Sequence, residues 1–168
     1  MPAYPPPAAL HTSFCIRSCG AHRGVQSERR RRQEDKDAQL AGLLNCRDDD
    51  PLVIDVDPQA HLTAVCGVVV PRADASLYGL YAHGAPLSAL TCATRNGWKL
   101  VPSHLELSKV DTQFGKGPAA LNRLSLALER EPVTRPVLMD SCPMLGVLSL
   151  SSVFAADGVL IPISADYL

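Results

Sequence analysis

Aromatic residues are scarce in this chain. Three Phe, four Tyr and one Trp make up 5% of 168 residues, so any core must be aliphatic. Net charge is almost absent, −1 at pH 7. That excludes a chain that binds nucleic acid by bulk charge alone. The six cysteines, Cys15, Cys19, Cys46, Cys66, Cys92 and Cys142, form no C-x-x-C pair, and no His stands at zinc-finger spacing. Neither a disulfide scaffold nor a structural zinc site is expected. Scattered reduced thiols suit a cytoplasmic setting. No apolar run follows a basic start at the N-terminus, so no secretory signal is expected.

Long hydrophobic runs are also few. The exception, Met144 to Ile163, has about the length of a membrane-spanning helix. Gly146, Asp157, Gly158, Pro162 and three serines interrupt it. It reads better as a helix over Val147–Ala156 and a buried strand over Gly158–Ile163. Buried strands of parallel sheets look like continuous aliphatic runs. No transmembrane segment is expected.

The remaining composition is that of a globular protein, 46% hydrophobic and 20% charged. The chain divides in two. Residues 1–37 hold seven Arg or Lys against four Asp or Glu, have a proline-rich start and show no period. They are expected to be an irregular, mobile segment, with Arg29–Arg32 a solvated charge run. Residues 38–168 are patterned. Helices are expected over Ala38–Asn45, His61–Cys66, Ser76–His83, Ser103–Phe114 and Pro118–Arg130. Ser76 and Ser103 would be caps. Strands are expected over Leu52–Val56, Trp98–Pro102 and Pro136–Asp140. Strands alternating with helices predict an α/β fold, a parallel sheet flanked by helices. Leu52–Val56, Val137–Met139 and Val159–Ile161 are expected to be neighbouring parallel strands.

Two of these strands end in aspartate: Leu52-Val53-Ile54-Asp55-Val56-Asp57-Pro58-Gln59 and Val137-Leu138-Met139-Asp140. Open parallel sheets bind ligands outside the carboxyl ends of their strands. An aspartate there can hold magnesium, a hard cation that takes oxygen ligands. A second can position a water for attack on a phosphoryl group. The alternative is that such acids only cap the following turns.

Four segments carry a family resemblance. They are Gln39–Leu44; Asp55-Val56-Asp57-Pro58-Gln59-Ala60-His61-Leu62-Thr63; Pro102-Ser103-His104-Leu105-Glu106-Leu107; and Asp140-Ser141-Cys142-Pro143 with Leu148–Leu150 and Ala156–Leu168. In this order and spacing, residues 39–168 resemble the ParA-type partition ATPases, the deviant Walker-A, MinD-like branch of the P-loop NTPases. The resemblance implies a nucleotide-binding domain of the AAA/CbiA type. Asp57 would be catalytic, positioning the attacking water. Asp55 would lie beside magnesium, and Asp140 would hold it through water. Pro162 would belong to the nucleotide-binding region that runs on to Tyr167. Intact relatives of this kind use ATP and Mg2+, form homodimers, bind DNA nonspecifically and work with a ParB-type partner in plasmid or chromosome segregation.

One departure is large. The family opens with a strand and a K-G-G-V-G-K-T loop, whose backbone N–H groups cradle the phosphates. No G-x-x-x-x-G-K-[ST] occurs in this sequence. With suitably chosen codons, His22–Gln33 can be back-translated so that reading one nucleotide later gives I-A-V-F-K-A-N-G-G-V-G-K, close to that strand and loop. As written, residues 1–37 are not expected to form it. The expectation is a truncated, inactive ParA-type chain that binds no ATP or Mg2+. The alternatives are a non-catalytic interaction module, or another superfamily member of the MinD or cobyrinic acid a,c-diamide synthase type.

Overall fold

A computed structural model describes the backbone of residues 13–17 and, in full, residues 51–95, 97–115, 117–131, 135–142 and 144–161. The expected helix at 38–45, the Arg run, the frame-shifted segment 22–33 and Pro162–Tyr167 lie outside them.

Among the described residues, six strands form one mixed sheet in the order β3-β4-β2-β5-β1-β6. They are β1 (Ser13–Arg17), β2 (Leu52–Asp55), β3 (Cys92–Ala93), β4 (Lys99–Val101), β5 (Val137–Ser141) and β6 (Gly158–Leu160). The helices are α1 (His61–Val65), α2 (Leu77–His83), α3 (Leu87–Leu90), α4 (Val110–Gln113), α5 (Pro118–Leu121), α6 (Arg123–Arg130) and α7 (Val147–Ala155), with 3-10 turns at Ala73–Ala75 and Leu105–Lys109.

The centre is parallel, as the aliphatic runs predict. β2 lies between β4 and β5, with Ile54 opposite Val101 on one side and Met139 on the other. The period of two then divides the strands between two layers. Leu52, Ile54, Val56, Val101, Val137 and Met139 face the main core, under α2, α3, α6 and α7. Val53, Leu100 and Leu138 face a thinner layer with Leu62, Cys66 and Trp98. Asp55 and Asp140 continue this second alternation, beyond Val53 and Leu138.

Three expectations need correction. Residues 13–17, placed in a segment without regular structure, form β1. Strand β6 is not the neighbour of β5: β1 lies between them and is antiparallel to both. β6 is not buried either. Val159, Leu160 and Ile161 are exposed, because β6 stands at the edge of the sheet.

Two expected helices are also broken. Pro118–Arg130 divides at Asn122 into α5 and α6. Ser103–Phe114 becomes a 3-10 turn followed by α4, and its cap is His104, whose Nδ1 accepts the Glu106 N–H at 3.2 Å. The Ser76 cap is present, its Oγ accepting the Tyr78 N–H at 3.2 Å.

Helix α2 passes very close to the turn before it. A Cβ on Gly79 would lie 2.4 Å from the Asp74 carbonyl oxygen and 3.2 Å from Leu90 Cδ2. Backbone atoms cannot swing aside as a side-chain tip can. Gly79→Ala is therefore expected to destabilise by about 1–3 kcal/mol, the usual range for overpacking. Urea denaturation checks it; a midpoint equal to that of the parent chain would refute the close approach.

Candidate functional site

The parallel register sets the first element of the site. Asp55 and Asp140 are directly opposed on β2 and β5, so they share the carboxyl edge of the sheet, as expected from the sequence. Both are buried, at 0% and 4% exposure. Asp57 is half-buried in the loop beyond β2.

That loop is closed by its own carboxylates. Asp55 Oδ2 accepts the Thr63 N–H at 2.8 Å and the Thr63 hydroxyl at 2.6 Å, while Asp55 Oδ1 accepts the Asp57 N–H at 3.2 Å. Asp57 Oδ1 accepts the Gln59 N–H at 2.9 Å, an Asx turn of the kind that Asp-Pro sequences favour. Ala60 completes the turn at φ 55°, ψ 32°, and is the one non-glycine residue at positive φ among the described residues. Left-handed backbone costs an L-residue about 1–2 kcal/mol, so the hydrogen bonds around Ala60 hold a strained turn in place.

Burial dominates the electrostatics. It pushes the Asp55 carboxyl up from 3.8 to about 6, against the opposing effect of the Thr63 and Asp57 hydrogen bonds; the neighbouring Asp57 charge adds to the rise. Burial likewise pushes the Cys66 thiol up.

The sequence gives Thr63 no role of its own and Ser103 only that of a helix cap. Thr63 spans from α1 back to Asp55. Ser103, read as a helix cap, instead donates its hydroxyl to the Asp57 carbonyl at 2.5 Å and its N–H to Thr63 Oγ1 at 2.9 Å. The visible signal was the spacing of Thr63, eight residues beyond a strand-end aspartate.

A hard cation would find oxygen donors at this edge, on Asp57 and Asp140. Both Asp55 oxygens accept protein donors, as does Asp57 Oδ1. No group of three His, Cys, Asp or Glu placed to hold a metal occurs among the described residues. The phosphate chain of a nucleotide fits less well, because the sequence supplies no glycine loop.

The direction of β1 bears on the same point. Ser13 pairs with Ser141 and Arg17 with Val137. The strand therefore begins at the aspartate edge and ends at the opposite one. Arg17 lies at the end of the sheet away from Asp57.

A profile of the AAA domain family AAA_31 matches residues 36–168. The chain belongs to this family. Over 116 residues it is 34% identical to the chromosome-partitioning ATPase Soj of Thermus thermophilus, covering 69% of this chain and 43% of that protein. Over 120 residues it is 30% identical to the chromosome partitioning protein ParA of Caulobacter vibrioides, covering 69% and 45%. Cobyrinic acid a,c-diamide synthase from Mycobacterium smegmatis, solved with an ATP analogue and magnesium, superimposes with a TM-score of 0.66 at 25% identity, over 73% of this chain and 49% of that one. The AAA_31 chain described here is thus of the ParA type with a P-loop NTPase fold, and it spans less than half the length of the curated relatives it matches. Among the described residues, no helix is long and apolar enough to cross a membrane.

Proposed function

We propose that this ParA-type chain retains the carboxylate edge of a partition ATPase but does not turn over ATP. The observation that carries this reading is the antiparallel course of β1, which sends the chain away from the edge where a phosphate loop is needed. In P-loop proteins the phosphates rest on N–H groups that follow a strand ending at that edge. Asp57 is the residue suited to orienting an attacking water, with Asp140 and Asp55 beside a magnesium ion and Pro162 in the nucleotide region. A bound magnesium would supply charge neutralisation for a phosphoryl group; Asp57 and Asp140 are the side chains that would face it. A cytoplasmic setting, DNA, a ParB-type partner and a second copy are the associations that the family suggests.

The test is phosphate release by the purified chain with ATP and Mg2+, alongside binding of a fluorescent nucleotide. Background-level release and weak or no binding are expected. Magnesium-dependent turnover abolished by Asp57→Ala would overturn the proposal. Genomic DNA across codons 22–34 tests the origin of the segment: a K-G-G-V-G-K loop in the next frame would show a displaced phosphate loop.

A second reading, a non-catalytic interaction module, draws on the apolar surface at Val153, Phe154, Val159, Leu160 and Ile161. Detectable nucleotide binding would exclude this second reading, since a module of this kind binds none under any condition.

A further inference from the structure

One short segment touches both the loop that carries Asp57 and the loop that follows Asp140 and β5. At its start, Ser103 is 1% exposed and holds the Asp57 carbonyl and Thr63 Oγ1. At its far end, Asp111 Oδ1 accepts the N–H of Val147, the first residue of α7, at 3.0 Å. The same carboxylate lies against Gly146, where a Cβ would stand 2.5 Å from Asp111 Oδ2. Gly146 ends the loop that follows Asp140 and β5. Between the two contacts, Leu107 and Val110 are fully buried in the main core.

We propose that residues 103–111 act as a strut, with Ser103 and Asp111 as positioning residues for the loops that carry Asp57 and follow Asp140. Ser103 stands where a helix cap is expected, yet its hydroxyl caps nothing; His104 does that work. The hydroxyl instead gives the Asp57 carbonyl a second donor, beside the Ala60 N–H at 2.9 Å. Two donors on one carbonyl fix the plane of the peptide that follows Asp57. With that plane fixed, the direction in which Asp57 presents its carboxylate is restricted. Thr63 extends the chain of bonds to Asp55 Oδ2, so one serine reaches two of the three aspartates. Asp111 does the equivalent for the second loop, because it settles where α7 begins relative to β5. The anchoring of Leu107 and Val110 keeps the two ends from moving independently of the sheet.

The significance of the strut rests on the proposed function, since the loops matter through Asp57 and Asp140. Its test does not. Amide hydrogen exchange is followed by mass spectrometry on the full chain, without metal or nucleotide, so failure of either idea is distinguishable. Ser103→Ala is expected to speed exchange over residues 57–64 by about fivefold to tenfold, the effect of losing one buried hydrogen bond. Ser103→Thr, which keeps the hydroxyl, is expected to retain slow exchange there. Asp111→Ala is expected to do the same over residues 144–150, with Asp111→Asn retaining the acceptor and the protection. Residues 137–141 of β5 should not change in any variant. Unchanged loop exchange, or an equal rise in β5, overturns the strut. Should Ser103→Ala fail to fold, Asp111→Ala decides: a rise confined to 144–150 supports the proposal, and a uniform rise overturns it.

Discussion

Asp55→Asn is expected to stabilise the metal-free chain near pH 7.5, by up to about 3 kcal/mol, and to lose that advantage by about pH 4. Asp55 has no exposure, and burial raises its carboxyl from 3.8 to about 6. The folded state therefore holds the proton more tightly than the unfolded state does. For such a group the favourable contribution is complete below the unfolded value and is lost as pH rises through the folded value. Above about pH 6 the parent chain folds with an ionised carboxylate in a desolvated site. Asparagine removes that charge and keeps an oxygen for the two Thr63 donors. Its amide N–H2 would meet the Asp57 N–H, which trims the gain. Urea midpoints of both chains between about pH 4 and pH 7.5 check this. A stability difference that does not change with pH would show that desolvation of Asp55 is not the cause.

Ile54→Ala is expected to destabilise by about 2–5 kcal/mol, a large share of the 5–15 kcal/mol typical of a domain. Ile54 is fully buried, and its partners in register, Val101 and Met139, are buried equally. Strands on both sides restrain the backbone, so the space left by the side chain closes poorly. Ile54→Val, which removes one methylene, is expected to cost about 0.5–1.5 kcal/mol. Thermal and urea unfolding of the two variants give the comparison. Equal losses for Ala and Val would mean that the site relaxes and that packing at β2 is looser than its burial indicates.

The parallel centre was legible in the sequence because β2 and β5 are aliphatic runs that end in aspartate at the same register. That Asp55 and Asp140 share one edge of the sheet followed from that pattern; their direct opposition in register is seen only in the structure. The division of Ile54 and Val53 between two layers was not read from the sequence, where Leu52–Val56 is only a continuous aliphatic run. β1 was not legible. In Ser13–Arg17, Phe14 and Ile16 alternate with Ser13, Cys15 and Arg17, but the run is short and lies in an unpatterned segment, and its place depends on pairing with strands far along the chain. The burial of β6 was misjudged for a related reason: an apolar run records composition, whereas edge or centre is decided by which strand arrives beside it. Ser103 was misread because its local context, three residues before Glu106, is that of a capping box. The tertiary bond to Asp57 wins over the cap, and no local signal carries it. Thr63 could have been found by asking which side chain returns to a buried strand-end carboxylate.

The antiparallel insertion of β1 has a consequence for synthesis of the chain. Cys15 pairs with Met139 and Val159, so this strand meets β5 only after about 120 residues have followed it and β6 only after about 140. Closing a loop of that size is entropically modest at equilibrium but slow to search. During translation the central strands β2, β4 and β5 can pair first, leaving the β5 flank open. Strand β1 must wait, unpaired, until Val137–Ser141 have left the ribosome, and it keeps one open edge until Val159 follows. In this interval the β5 flank is open to any extended segment that reaches it, including the same strand of a neighbouring nascent chain. Exchange of β1 between copies is therefore the characteristic assembly error for this fold.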